Sequence, residues 1–244
     1  MNLLLDIGNS RMKWVQQSPE DWHGGAIDIN QASLVTELDR HWSSWKRPEK
    51  LVISSVASDD INQILRQWTR LHWAIEARFV TSPPEQFGLV NGYEDPAQLG
   101  CDRWLAMLAA MQIGAPPLCV IACGTAVTLD VINKDREFCG GLIFPGLHLL
   151  RQGLMTGTAG IGTIETEVSE VPALNTAQGA GGGTLLGLVG AIRFIMDVYE
   201  QKFGSNMVFM ITGGDAELIR SHLQRDCIVE PELTLKGLAL LVQE

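Results

Sequence analysis

The chain of 244 residues lacks several things, and each absence narrows what it can do. It has no apolar run of membrane-spanning length, so no transmembrane segment is expected. No basic region precedes the short apolar run at the N-terminus, so no signal peptide is expected there and the expected compartment is the cytoplasm. Basic residues are scarce: 18 Lys and Arg against 28 Asp and Glu leave a net charge of −10. A chain-wide acidic balance argues against nucleic acid as the main partner, because binding a phosphate backbone calls for a basic patch. The five cysteines are odd in number and have no zinc-type spacing. Cys119 and Cys123 lie four apart in an apolar run and read as buried thiols. No repeat longer than a short hairpin is evident. What remains is an ordinary globular composition, 46% apolar and 19% charged, with ample material for a core.

The first ten residues, MNLLLDIGNS, organise the rest. An apolar strand, Asn2 to Leu5, delivers Asp6 into a tight turn at Gly8-Asn9, and a second strand returns through Met12, Trp14 and Val15. Glycine lets backbone N–H groups approach an oxyanion, and Asn9 and Ser10 add side-chain donors. Asp6 suits Mg²⁺, a hard cation that takes oxygen ligands, and Lys13 brings a positive charge for a phosphate. Taken alone, D-x-G-N is also an ordinary hairpin turn. The pattern recurs, however. LCVIACGTAVTLD at 118–130 is again strand, Gly124-Thr125 turn, strand. VFMITGGDAELI at 208–219 runs a strand into Gly213-Gly214 and then a helix with Asp215 near its start. Three such loops can converge on one nucleotide, as they do in the actin, hexokinase and acetate kinase superfamily.

The alternation of strands and helices predicts an α/β fold. Helices are expected over 32–42, from Asp59 through Trp68, and over 102–112, 146–155 and 184–203. Strands are expected over 51–56 and 74–80, and the stretch up to Leu99 reads as loop. GAPP at 114–117 sets a boundary between an N-terminal domain, 1–113, and a C-terminal domain, 117–244. All seven tryptophans precede it. The small-residue stretch 156–176 reads as a connection that is mobile or wrapped over a partner. Two halves, each opened by strand, glycine turn and strand, suggest duplicated domains with a cleft between them.

Five motifs in order along the chain resemble type III pantothenate kinases: DIGNSRMK at 6–13, Tyr93 with GCDRW at 100–104, CGTAVT at 123–128, GGLIFPG at 140–146 and NT at 175–176. The resemblance implies a two-domain actin-like kinase, of ribonuclease H-like fold, that phosphorylates pantothenate from ATP with Mg²⁺, the first step of coenzyme A synthesis, and that works as a homodimer. It implies that Asp6, Ile7, Gly8, Asn9, Ser10, Arg11, Met12 and Lys13 form the first phosphate loop, with Thr125 on the ATP phosphates. Asp102 matches the catalytic base. Tyr93, Gly100, Cys101, Asp102, Arg103 and Thr176 fall in the pantothenate-binding motifs. The family also takes a monovalent cation, K⁺ or NH₄⁺, on an Asp two residues before the glycine of GTA; here that position is Ala122, so no metal ligand is assigned there. Two readings stay open beside the kinase: a phosphohydrolase of the same superfamily and a non-catalytic regulator with this fold. Local sequence also allows Asp102 as a helix N-cap, Arg103 as a surface charge, Tyr93 as a core aromatic and Thr125 as a turn hydroxyl.

Overall fold

The computed structural model describes residues 1–165 and 171–242. It divides into two compact units: Met1–Ile113 together with the C-terminal segment from Glu232, and Gly114–Pro231.

Unit 1 opens with β1 (Asn2–Ile7), β2 (Arg11–Gln17) and β3 (Trp22–Asp28), a meander of antiparallel strands. After α1 (Leu34–Trp42), β4 (Leu51–Ser55) returns parallel to β1, and after α2 (Asp59–Trp73), β5 (Arg78–Phe79) lies parallel to β4. The sheet order is β3-β2-β1-β4-β5. Side chains alternate faces along β1. Leu3, Leu5 and Ile7 pack beneath α1 and α2 with Trp14, Trp42, Trp68 and Trp73. These rings meet edge-on or stacked, as between Trp42 and Trp73 with centroids 5.9 Å apart, which accounts for most of the tryptophans as core. Leu4, on the opposite face, packs with Val15, Val52 and Leu105.

The strand expected over 74–80 shrinks to two residues, because left-handed Ala74 ends α2 and only Arg78 and Phe79 pair with β4. The stretch read as loop up to Leu99 contains a small hairpin, β6 (Glu85–Gln86) and β7 (Leu89–Asn91), turned by Phe87 and Gly88 at positive φ. A 3₁₀ turn, Pro96–Gln98, follows, its first N–H groups satisfied by Asp95. Then α3 (Cys101–Ile113) begins, with Trp104 to Ala110 all buried.

Unit 2 repeats the plan. β8 (Leu118–Cys123), β9 (Ala126–Ile132) and β10 (Glu137–Pro145) form an antiparallel meander. α4 (Leu147–Gly157) and α5 (Thr176–Phe203) follow, and β11 (Val208–Thr212) returns parallel to β8. α6 (Ala216–Leu223) leads to β12 (Ile228–Val229), parallel to β11. The strand order is β12-β11-β8-β9-β10.

α5 begins eight residues before the expected 184. Asn175 caps it, its side-chain oxygen accepting the Gln178 N–H at 2.9 Å, so the glycine-rich stretch is helical despite glycine's poor propensity. Gly181 lies against the backbone of Glu165; a Cβ there would come within 2.1 Å of that carbonyl oxygen. α5 is also long and apolar enough to meet the dimensions of a membrane span, against the expectation above. Its inward residues Leu185, Leu188, Ile192 and Met196 lie in the core of unit 2, as those of an apolar core helix do. Of the connection expected over 156–176, residues 166–170 lie outside the described residues.

The last helix, α7 (Leu233–Val242), departs from the boundary read at 114–117: it belongs to unit 1, not to a continuous 117–244 domain. Leu235, Leu238 and Leu241 join the Leu4, Val52 and Leu105 cluster. Gly237 allows this, since a Cβ there would fall 2.2 Å from the Leu105 carbonyl oxygen.

Candidate functional site

Asp6 is one pleat beyond Leu4 on the α3 side of the first sheet. Register fixes its neighbours: Lys13 stands across on β2, and Ser54 beside it on β4. Ser54 is fully buried. Burial, and then the nearby charge of Asp102, push the Asp6 carboxyl up to about 7; Lys13 and the Ser54 hydroxyl pull the other way. Two carboxylates, a lysine and a buried hydroxyl thus meet at the end of β1. The sequence reading singled out the first three and passed over Ser54; its only signal was a small polar exit, Ser54-Ser55, from an apolar strand.

Asp102 lies in the first turn of α3 and is not its N-cap, since the helix already includes Cys101. One carboxylate oxygen accepts the N–H of Arg103 at 2.8 Å. That oxygen folds back over residue 100, where a Cβ would stand 2.6 Å away, so the glycine of the GCDR motif leaves the carboxylate its room. Arg103 is only 8% exposed, which removes it from the class of surface charges. Its Nη1 donates to the Tyr93 hydroxyl at 3.2 Å. Tyr93 is held from the other end, where its backbone N–H reaches the Asn91 side chain at 3.1 Å and Asn91 donates to the Pro83 carbonyl. The Cys101 thiol, buried, lies 3.5 Å from the Ser54 hydroxyl and donates to the Ser55 carbonyl at 3.5 Å. Burial raises its pKa.

The rest of the first loop divides. The side chains of Ile7 and Met12 are fully buried in the tryptophan core, so any contact they make with a phosphate comes from main chain. The Gly8 N–H closes the hairpin onto the Arg11 carbonyl at 3.0 Å. Arg11 turns toward β3, its guanidinium 3.4 Å from Asp28. Asn9 and Ser10 are exposed at the turn.

In unit 2 three loops interlock. The Gly124 N–H closes its turn onto the Ala126 carbonyl, and the Gly146 N–H reaches the Thr125 carbonyl at 2.9 Å. A Cβ on Gly146 would fall 2.1 Å from the Gly124 carbonyl oxygen, so the FPG and GTA motifs touch backbone to backbone. Gly213, at φ +102°, comes as close to Cys123: a Cβ would lie 2.2 Å from its carbonyl oxygen, and the Asp215 N–H donates to that same carbonyl. Asp215 faces Arg151 and His148 of α4; burial raises its pKa, and these two neighbours oppose the rise. Thr125 is in the first of these loops, and Thr176 is the first residue of α5.

Ala122 is flanked by hydroxyls, Thr128 across on β9 and Thr212 beside it on β11, both buried. Asp130, eight residues on, is one pleat along the same face, 1% exposed, and accepts a hydrogen bond from Thr128 at 3.0 Å.

A family model for type III pantothenate kinase matches residues 2–198. The chain is similar to the type III pantothenate kinase of Nitrosococcus oceani, 34% identical over 253 residues that cover 100% of this chain and 94% of that one. It is 37% identical to that of Acinetobacter baumannii, over 97% of this chain and 95% of the other. Among solved structures it resembles a Campylobacter jejuni protein described as a conserved Baf family transcriptional activator, with a TM-score of 0.60 and 16% identity over 99% and 97% of the two chains. That last likeness shows the shared fold.

Proposed function

We infer, for a chain that belongs to the type III pantothenate kinase family, that it transfers a phosphoryl group from ATP to pantothenate, the first step of coenzyme A synthesis. The observation that supports this most directly is the carboxylate pair of unit 1, Asp6 and Asp102, beside Lys13.

Phosphoryl transfer asks the protein for alignment and charge neutralisation more than for covalent chemistry. Asp102 accepts or orients the proton of the attacking hydroxyl. Arg103, held by Tyr93, offers a planar fork to the substrate carboxylate, which suits a bidentate pair. Gly100 and Cys101 line the start of the same helix, and Thr176 adds a hydroxyl from α5. The loops at Gly8 to Lys13 and at Gly124-Thr125 receive the nucleotide phosphates. Because the crowding of Asp6 by Asp102 disfavours two negative charges, a hard divalent cation fits at Asp6, which would hold it directly or through water. Mg²⁺ held there would supply charge neutralisation for the phosphates.

The reading also includes a homodimer in the cytoplasm. Supporting the dimer is the outward face of α5, where Leu186, Phe194 and Val198 are exposed beside Gly183, Gly187 and Gly190. Light scattering on the purified protein should give twice the chain mass, and a monomer would remove the dimer from the reading.

The deciding experiment mixes purified protein with ATP, Mg²⁺ and pantothenate. ADP and a phosphorylated pantothenate should form together. ATP loss without pantothenate would favour the phosphohydrolase, and no ATP loss at all the non-catalytic regulator.

A further inference from the structure

We propose that Ser54 is a positioning residue for this reaction: its hydroxyl fixes the Asp6 carboxylate and ties it to the helix that carries Asp102. The proposal rests on the kinase reading and adds a residue to its machinery.

β4 is otherwise an apolar strand, with Leu51, Val52 and Ile53 all buried. A fully buried hydroxyl in such a strand is costly unless it is bonded. Ser54 has polar neighbours in two directions. Parallel register places it level with Asp6, whose carboxyl pKa it helps to hold down. On the other side, 3.5 Å away, is the thiol of Cys101, the first residue of α3 and the neighbour of Asp102. Ser54 has one proton to give. A carboxylate is the stronger acceptor, so that proton goes to Asp6, and the thiol meets Ser54 as donor or donates to the Ser55 carbonyl. The same slot on the parallel strand of unit 2 holds another buried hydroxyl, Thr212, level with Ala122. Only in unit 1 does the slot face a carboxylate. One buried hydroxyl therefore joins the end of β1, which serves the phosphates, to the start of α3, which serves the attacking hydroxyl. A misplacement between those two groups of about 1 Å is enough to cost activity.

The test uses Ser54→Ala, which removes the hydroxyl without adding volume, and Ser54→Thr, which keeps it. We expect Ser54→Ala to lower kcat by about tenfold or more, within the reach of small misplacements. The pantothenate KM, and the pantothenate Kd by calorimetry, should change less than about twofold, the signature of a loss confined to the transition state. Ser54→Thr should recover most of kcat. If Ser54→Thr melts well below wild type, Ser54→Cys takes its place, and its kcat should fall with that of Ser54→Ala because a thiol is a weak donor. In an Asp6→Asn background, followed by single turnover, adding Ser54→Ala should slow the reaction less than about twofold, since the residue acts through Asp6. The proposal is overturned by a Ser54→Ala kcat within about twofold of wild type, or by a full loss repeated in the Asp6→Asn background. Wild-type turnover of pantothenate is the control: its absence ends the kinase reading, whereas equal rates in wild type and Ser54→Ala end only this proposal.

Discussion

Asp6 and Ala122 hold the same place in the two units. Each is two residues before a turn glycine, on a strand that runs antiparallel to the next one and parallel to a later one. Ser54 stands beside Asp6, and Thr212 beside Ala122. The frame is duplicated and the chemistry is not. Unit 1 spends its frame on side chains, gathering Asp6, Lys13, Ser54 and Asp102 at one strand end. Unit 2 spends it on backbone, pressing Gly146 and Gly213 against the main chain of Gly124 and Cys123, contacts that no side chain could share. A carboxylate end can hold a cation and crowd a second carboxylate; a glycine cradle can admit a polyphosphate but brings no charge of its own.

The largest effect that would break this contrast is on the carboxylate side. Asp102→Asn should keep the fold and ATP binding and lose at least roughly 10²-fold in turnover, the scale of a positioned acid–base group. A near-normal rate would leave Asp102 as part of the helix start only.

Asp6 sharpens the contrast through pH. Its folded-state pKa, about 7, stands above the ordinary 3.8, so the native state binds the proton more tightly than the unfolded chain does. Stability from this group is therefore full below about pH 4 and is lost as the pH rises through about 7. Asp6→Asn, which stays neutral, should melt near wild type at about pH 3 and above it at pH 8 when no Mg²⁺ or nucleotide is present. The gain is below about 4 kcal/mol, because Asp6 keeps some solvent contact at the strand end and water screens part of the repulsion. The same variant should weaken Mg²⁺–ATP binding while leaving pantothenate binding measurable by calorimetry. Equal melting at both pH values would show that Asp6 is not crowded.

On the backbone side, Gly146→Ala should cost roughly 1–3 kcal/mol, the range of overpacking, and should raise the KM for ATP more than that for pantothenate. A denaturant melt and two substrate titrations check this; an unchanged melt would mean that the FPG and GTA loops do not touch.

The smallest effect concerns the missing carboxylate. With Ala122 in place, initial rates in potassium chloride and in choline chloride should differ by less than about tenfold, or about 1.4 kcal/mol of barrier. Ala122→Asp would then create in unit 2 the pairing unit 1 already has, a carboxylate beside a buried hydroxyl, and potassium activation should appear in that variant. Strong potassium activation of the wild type would instead point to another ligand, and Asp130, on the same face, is the first to replace by Asn.

The amino-acid sequence determined what depends on neighbours along the chain. The turn glycines after Asp6 and Ala122 announce the two hairpins, and periodic apolar residues announce α1 and α2. The motifs that carry Asp102, Arg103, Thr125 and Gly146 are contiguous, which is why the family could be read from them. Only the tertiary structure decided what depends on pairing across long separations. Ser54 is 48 residues from Asp6, and nothing local marks it as more than the end of a strand; parallel register puts the two side by side. By sequence the C-terminal α7 falls in the second domain, whereas a glycine that fits the backbone of α3 places it in unit 1. The hairpin at 85–91 escaped notice because strands of two and three residues have no periodicity to detect, and α5 began early because one asparagine cap outweighed a run of glycines. A local pattern fixes the preference of each segment for helix, strand or turn. The choice of partner depends on burial and register summed over the whole fold, which no window of sequence contains.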